Sequence, residues 1–320
     1  MTSRAEGARA GGGSAPFGHS TGELTRVRKI ARDADCGRAP RPSSRTISSS
    51  DRPDDLPDFG SPPLDEVVIA VYFNHIEALT LNHQILFWQR NQGTYSKFSV
   101  QQPIMVVDED ITQPPGPSPI PAISIQRLLT GTVPHLWLES ENESFLLQLQ
   151  SNMFSSNWRS RLDPYPHFEA LLDRFTEAYL DYRAFLADLQ VDPGLVTMID
   201  VTYVNWMPES PMQDIARMAA ASQTSGRNSD PWPAAQGHTL LYQLRDDNGA
   251  VGRLNVDVQS AKRPDGDSWT DGTQMTLVAR VLPVQDIEGM KSRFSFCRDA
   301  IVQAFADLTT EGAREQWQQR

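Results

Sequence analysis

Residues 66–73 read EVVIAVYF, a β-branched run that is apolar on both faces. Such a run is typical of a central strand, because a strand that is covered on both sides does not alternate with polar residues. We therefore expect the middle of a sheet here. A second strand-like stretch, VTMIDVTYVNW at residues 196–206, opens the later part of the chain.

Amphipathic helices are predicted to end each part of the chain. Apolar residues recur at helical spacing over residues 166–190 and again over residues 287–308. A shorter helix is predicted over residues 76–91, directly after the first strand, from apolar residues at i, i+4 and i+7.

Two hairpins are predicted between the strands and the long helices. Residues 135–139 and 144–150 pair in the first, and residues 239–245 and 251–260 in the second. The second hairpin turns at Asn248-Gly249, a strong turn signal because both residues tolerate positive φ.

The two parts have a similar order of elements: a strand, a helical or loop segment, several antiparallel strands and a long helix. The sequence therefore predicts an α+β fold of two similar halves, residues 64–192 and 193–320, that share or abut an antiparallel sheet. The first half follows β-α-β-β-β-β-α, the order of a TATA-binding-protein-like half.

Residues 1–63 are predicted to be a disordered tail. They contain eight Gly, seven Pro and nine Ser but only eight large apolar residues. Such a segment buries too little apolar surface to offset the entropy that is lost on ordering. A basic arm around Arg26, Arg28, Lys29 and Arg32 is the functional alternative, although nearby acidic residues offset its charge.

The folded part is predicted to be strongly acidic. Of the 29 basic and 40 acidic residues, ten and eight lie in residues 1–60, which leaves 19 and 32 in residues 61–320 and a net charge of −13 there. Such a charge repels phosphate at long range, which argues against duplex nucleic acid as the main partner.

A cytoplasmic protein without a membrane partner is expected. Residues 1–20 lack the apolar centre of a signal peptide, and no run approaches the roughly 18 apolar residues that cross a bilayer. The two cysteines, Cys36 and Cys297, give neither a disulfide framework nor a metal-ligand spacing. None of the six His pairs at i, i+4 or lies beside a Cys, so we expect no metal and no cofactor.

Several scattered but co-linear motifs together resemble a known family. They are PPLDEVV at residues 62–68, FWQR at 87–90, NWR at 157–159 with YP at 165–166, VTYVN at 201–205, and AIVQAF at 300–305 before LTT at 308–310. Over residues 62–318 the chain resembles a sporadically distributed family of uncharacterised bacterial and archaeal proteins. The long tail and Trp206, where the family pattern has a His or another polar residue, depart from it. The resemblance implies a shared fold and no activity; patchy distribution is associated with accessory genes, including defence genes.

One candidate site is the polar cluster between a strand and the first long helix, where two arginines could grip a carboxylate or a phosphate. Its residues are Asn157, Trp158, Arg159, Arg161, Tyr165 and His167. The alternative is a structural corner, in which the Trp packs and the arginines pair with surface acids.

The second half offers Tyr203, Asn205 and Trp206 at the end of a strand. A buried Asn needs partners for both ends of its amide, so it either fixes a loop or meets a ligand. Each half thus has an Asn-Trp pair near the same junction, and we expect the two pairs to face each other across one groove. A large separation between Asn157 and Asn205 would exclude that groove.

Three classes of function remain open. The first is a non-enzymatic binding or protein-interaction module, which takes an unknown protein or a small ligand. The second is an enzyme whose catalytic residues are dispersed along the chain, and the third is a defence or regulatory component that acts near nucleic acid. No Gly-x-Ser-x-Gly, Walker or Gly-x-Gly-x-x-Gly pattern occurs in residues 62–320, and the sequence does not indicate the oligomeric state.

Overall fold

The computed structural model describes residues 56–104, 110–113, 135–208, 237–265 and 268–319. Within these ranges the chain has the predicted α+β composition. Its strands are β1 (Leu64–Phe73), β2 (Lys97–Gln101), β3 (His135–Glu139), β4 (Phe145–Gln150), β5 (Met153–Arg159), β6 (Val196–Pro208), β7 (Gly237–Asp246), β8 (Gly249–Asp265) and β9 (Ser268–Val281). Its helices are α1 (Leu81–Arg90), α2 (Phe168–Asp188), α3 (Ile287–Leu308) and α4 (Glu311–Gln316).

The strands of the described residues form one antiparallel sheet in the order β2-β3-β4-β5-β1-β6-β9-β8-β7. The strand that contains EVVIAVYF is β1, and it lies in the interior as predicted. Val67 is opposite Trp158 of β5 on one side and Tyr203 of β6 on the other. Both edges of β1 are therefore hydrogen-bonded.

Both predicted hairpins form. Leu138 of β3 is opposite Leu147 of β4, and Asp246 of β7 is opposite Gly249 of β8. Gly249 has a φ of +122°, a conformation that glycine adopts without the steric cost of a Cβ.

The long helices α2 and α3 cover one face of the sheet. Phe154 of β5 lies 5.8 Å from Phe175 and 5.6 Å from Tyr179 of α2, measured between ring centroids. Phe175 also meets Phe294 of α3 at 5.1 Å. Burial of each such side chain contributes about 1.5–3 kcal/mol, so the aromatic stripe of α2 holds the helix against the sheet.

An ion pair of a buried arginine and a partly exposed glutamate joins the first turn of α2 to α3. Arg298 is 2% exposed, and its Nη1 lies 2.8 Å from Oε1 of Glu169. Its guanidinium also lies 5.4 Å from the ring centroid of Phe168. Because a charge at this depth needs its partner, the pair fixes the start of α2 against α3.

The first helix, α1, is shorter than predicted. It begins at Leu81 and not at residue 76, because Thr80 caps it. Oγ1 of Thr80 accepts from the backbone N–H of His83 at 3.4 Å, and Nδ1 of His83 accepts from the N–H of Thr80 at 3.3 Å. This reciprocal cap satisfies two donors at the helix start, so the residues before Thr80 are not helical.

The last part of the predicted tail contacts the C-terminus. Residues 1–55 lie outside the described ranges, but Gly60 and Ser61 donate backbone hydrogen bonds to the carbonyl oxygens of Gln318 and Trp317, both at 3.1 Å. Phe59 packs edge-on against Phe305, with 5.4 Å between ring centroids. The boundary at residue 63 is therefore too late, since composition does not show that a single Phe reaches the core. No helix of the described residues is long and apolar enough to span a bilayer.

Candidate functional site

The sheet has a second face that α2 and α3 do not cover, and we call it the outer face. Successive side chains of a strand point to opposite faces, and residues opposite each other in register share a face. On β1, Val67, Ile69 and Val71 face the helices. The outer face is defined by the alternate β1 positions Glu66, Val68, Ala70 and Tyr72 and by the residues in register with them on the other strands.

A chain of buried hydrogen bonds crosses the outer face in the first half. Nε2 of Gln148 donates to Oδ1 of Asn157 at 2.9 Å, and Nδ2 of Asn157 donates to Oε1 of Glu66 at 2.6 Å. Ser155 donates a further bond to Oδ1 of Asn157 at 3.3 Å. Both ends of the Asn157 amide are thus satisfied inside the protein, as a side chain that is 2% exposed requires.

Burial raises the pKa of Glu66 above its ordinary value of 4.5. The hydrogen bond from Asn157 and the charge of Arg159 act in the opposite direction but do not outweigh the loss of hydration. Ionisation of the Glu66 carboxyl group is therefore less favourable in the folded protein than in water.

A second polar group lies on the outer face across β6 and β9. Nε of Arg280 donates to Oδ2 of Asp200 at 2.9 Å, and Oγ1 of Thr202 donates to Oδ1 of Asp200 at 2.9 Å. Asp200 is 3% exposed, so these two donors replace water around its carboxylate. Burial, assisted by the charge of Asp200, raises the pKa of the neighbouring Tyr72 well above its usual range.

Arg159 and Arg161 do not form the predicted binding site for a carboxylate or a phosphate. Nη2 of Arg159 lies 2.7 Å from Oε1 of Glu139, and its Nε donates to the carbonyl oxygen of Glu143 at 3.0 Å. Arg161 lies beyond the end of β5, is exposed, and donates to the carbonyl oxygen of Ser160. Arg159 thus links β5 to Glu139 of β3 and to the following turn. This is the alternative interpretation, in which the cluster is a structural corner.

Four of the predicted site residues face the helices. Trp158 packs on Tyr165 with 5.2 Å between ring centroids, and the hydroxyl oxygens of Tyr165 and Tyr203 are 3.2 Å apart. Nδ2 of Asn205 donates to the carbonyl oxygen of Met275 at 3.2 Å. Burial, and then the nearby Tyr203, raise the pKa of Tyr165 well above its usual range, so this phenol stays protonated.

The two Asn-Trp pairs do not face each other across one groove. Asn157 and Thr202 are both opposite Val68, so they share the outer face. Asn205 is three positions from Thr202 and therefore points to the helices, where it lines a cavity of about 30 Å³ with Phe305. The expected groove between the asparagines is excluded, because the sheet itself separates them.

Trp206 is on the outer face, under the guanidinium of Arg263 at 5.8 Å from the ring centroid. Gly272 of β9 lies against its indole, and a Cβ at that position would be 2.6 Å from Cζ2. Of the predicted residues, Asn157, Arg159 and Trp206 therefore lie on the outer face.

The residues that the sequence analysis missed are Glu66, Gln148, Asp200 and Arg280. Two of them had a local signal in the sequence. Asp200 is a charged residue within a mostly apolar strand, and Glu66 is a charged residue at the start of another apolar strand. Arg280 is distant from Asp200 in sequence, so only the strand order joins them.

The described residues hold no group of three or more His, Cys, Asp or Glu side chains that could bind a metal ion. Cys297 is fully buried on α3, and burial raises the pKa of its thiol well above the ordinary value. Such a thiol stays protonated and is a packing residue rather than a nucleophile.

Comparisons with known proteins do not assign a family. No protein-family model and no curated protein matches the sequence. Among solved structures, the di-domain ARO/CYC StfQ from the steffimycin biosynthetic pathway aligns with 76% of this chain and 99% of its own, at 10% identity and a TM-score of 0.14. A score this low carries no argument about fold or function. The resemblance to the sporadically distributed family stays a prediction.

Proposed function

We propose that this protein is a non-enzymatic interaction module that binds a partner protein on the outer face. The observation that carries this proposal is the surface around Thr202. Val68 and Val278 flank Thr202 on the adjacent strands, Val204 follows along β6, and all three valines are partly exposed. An apolar centre within a polar surround is the usual composition of a protein interface.

The polar surround is internally paired. Asp200 forms a salt bridge with Arg280, and Glu139 forms one with Arg159. Cations neutralised in this way are poor contacts for phosphates, since duplex binding depends on cations that replace condensed counterions. This pairing, together with the acidic net charge, favours a protein partner over nucleic acid.

The strand order supports two similar halves with a TATA-binding-protein-like order, over residues 64–192 and 193–320. β1 and β6 are neighbours in the sheet, flanked by β5 and β9, then by β4 and β8, then by β3 and β7. In each half the first strand pairs with the last strand before the long helix, α2 or α3. Such an arrangement gives the module one outer face to which both halves contribute.

The test is capture of partners by purified protein from native cell extract after cross-linking. Val278→Arg places a charge in the apolar centre of the outer face, and Leu180→Arg on α2, where Leu180 is 45% exposed, is the matched control. We expect proteins captured reproducibly by the unaltered chain to be lost with Val278→Arg, by roughly tenfold or more, and kept with Leu180→Arg. Thermal unfolding confirms that both variants are folded.

Equal capture by the two variants, or no reproducible capture by the unaltered chain, would contradict the proposal. A gel shift with duplex DNA at low salt tests the alternative, and we expect no binding at micromolar protein. A shift that Val278→Arg removes would replace the protein partner with nucleic acid.

A further inference from the structure

The strand β7 forms one edge of the sheet. No other strand of the described residues pairs with the side of β7 that faces away from β8. β7 has ten residues, and its sequence, GHTLLYQLRD, contains neither Lys nor Pro. Proteins often protect an edge by a short strand, a lysine or a proline, because its unpaired N–H and C=O groups pair readily with another strand. None of these three features protects β7.

The two edges of the sheet differ in this respect. At the opposite edge, β2 has only five residues and begins with Lys97. In the middle of β7, by contrast, Leu241 and Tyr242 are 42% and 41% exposed. Consecutive residues of a strand point to opposite faces, so the middle of β7 is accessible from both faces of the sheet. We therefore expect an added strand at β7 rather than at β2.

A groove of about 400 Å³ lies between β7 and α3. Its apolar lining includes Leu244 of β7 and two residues one turn apart on α3, Phe296 and Ala300. Nη2 of Arg293 on α3 lies 2.9 Å from Oδ2 of Asp246 at the end of β7, and this salt bridge fixes the helix against the strand. A strand that pairs with β7 points every second side chain towards the helices, and therefore towards this groove.

The groove contains a positive charge that no carboxylate of the described residues neutralises. Arg245 lines the groove and is exposed, and its guanidinium donates to Oε1 of Gln243, a neutral amide. The other charged residue of the lining, Asp299, has its Oδ1 2.6 Å from Nε of the buried Arg298. The charge that remains for a ligand is thus that of Arg245, and a guanidinium binds a carboxylate well.

We propose that β7 binds an extended peptide of a partner protein by strand addition, with apolar side chains of the peptide in the groove and an acidic residue against Arg245. In this mode of recognition, backbone hydrogen bonds supply affinity and pockets for alternate side chains supply specificity. The edge of β7 provides the first and the groove provides the second. The site is separate from the outer face, so the inference goes beyond the proposed function.

The first experiment measures binding of a fluorescein-labelled peptide, GSTVLEVTSG, to the full chain by fluorescence anisotropy. The control peptide has a lysine in place of the glutamate. We expect the acidic peptide to bind roughly tenfold more tightly than the lysine peptide. Arg245→Glu should reverse this preference, whereas Arg161→Glu, at an exposed position outside the groove, should leave it unchanged.

A second experiment tests the backbone pairing. In a paired strand at an edge, the N–H groups point alternately towards the partner strand and away from it. N-methylation of the peptide at one position at a time removes these groups singly. We expect methylation at alternate positions to weaken binding by roughly tenfold, and methylation at the intervening positions to have little effect.

A third experiment fills the groove. Gln303→Trp places a large side chain in it from an exposed position of α3, and Gln89→Trp, at an exposed position of α1, is the matched control. We expect peptide binding to be lost with the first variant and kept with the second, and thermal unfolding checks that both are folded. The methylated peptides need no variant protein, so the test stands if Gln303→Trp does not fold.

Three results would overturn the inference: no binding of the acidic peptide at about 1 mM, equal effects of methylation at every position, or a charge preference that Arg245→Glu does not change. Sedimentation equilibrium without peptide tests a second copy of the chain as the occupant. A dimer that Gln303→Trp abolishes would assign the edge to self-association and overturn the peptide site. Val278→Arg on the outer face should leave peptide binding unchanged, so failure of the proposed function is seen separately.

Discussion

Nδ2 of Asn157 on β5 lies 2.6 Å from Oε1 of Glu66 on β1, and this hydrogen bond joins two neighbouring strands on the outer face. The bond holds a carboxyl group at a position where burial raises its pKa above 4.5. The contact between β1 and β5 at this point therefore depends on pH.

Glu66→Gln is expected to stabilise the protein increasingly as pH rises. With a raised pKa the folded state holds the Glu66 proton more tightly than the unfolded state, so the contribution of Glu66 to stability is present below its unfolded pKa. It is lost as pH rises from 4.5 through the higher folded value. Gln stays neutral and can still accept from Asn157, so the difference in unfolding free energy between variant and unaltered chain should grow over this window and then level off.

Urea unfolding from pH 4 to pH 7.5 measures that difference, with Glu141→Gln in an exposed turn as the control for the substitution. A difference that shrinks with rising pH would contradict the sign.

Arg280→Ala is expected to lower the free energy of unfolding by about 3 kcal/mol, because it leaves the buried carboxylate of Asp200 without its cation. The matched control is Lys262→Ala, since Lys262 pairs with Asp271 in the open, with side chains 67% and 81% exposed. That substitution should cost about 0.5 kcal/mol or less. Chemical denaturation measures both, and similar losses would show that burial of the Asp200 pair does not matter.

Gly252→Ala is expected to destabilise the sheet by about 3 kcal/mol. A Cβ on Gly252 of β8 would lie only 2.0 Å from the carbonyl oxygen of Arg280 on β9, and a backbone atom cannot move aside without disturbing the strand pair. Gly93→Ala is the control, because nothing lies within 4 Å of a Cβ there. The midpoint of thermal unfolding should fall for the first variant and change little for the second.

Arg298→Ala is expected to cost about 3 kcal/mol, since it removes the guanidinium that joins Glu169 on α2 to α3. Exposed Arg161→Ala should cost about 0.5 kcal/mol or less. Hydrogen exchange gives a second readout: protection should fall first at the start of α2. Uniform loss of protection across the sheet would contradict a local role.

Deletion of residues 1–61 is expected to destabilise the protein more than deletion of residues 1–55, by about 3 kcal/mol. Only the longer deletion removes the Phe59–Phe305 contact and the backbone bonds of Gly60 and Ser61. Equal stability of the two truncated chains would show that the contacts with the C-terminus contribute nothing.

Much of the fold was predictable because its signals are local. The run at residues 66–73 indicated an interior strand, and the structure places it between β5 and β6. The turn at Asn248-Gly249 fixed one hairpin, and helical periodicity found α2 and α3. The start of α1 was missed because the Thr80–His83 cap makes the helix begin at Leu81, later than the predicted residue 76.

The candidate site was predictable only in part. Asn157 and Arg159 were identified, and both lie on the outer face. The pairing of Asn157 with Asn205 was wrong, because similar positions in two halves do not imply that side chains point to the same face. Asp200 was not identified as a site residue, because its partner Arg280 meets it only through the pairing of β6 with β9.

The sequence by itself determined most of the strands and helices and which residues alternate along each strand. These properties depend on neighbours within a few residues, so they are visible in one chain. The tertiary structure alone decided which strands are adjacent and in which register, and hence that Glu66 meets Asn157 while Asn205 faces the helices. Register depends on hydrogen bonds between distant segments, and a shift of one residue turns every side chain of a strand to the other face.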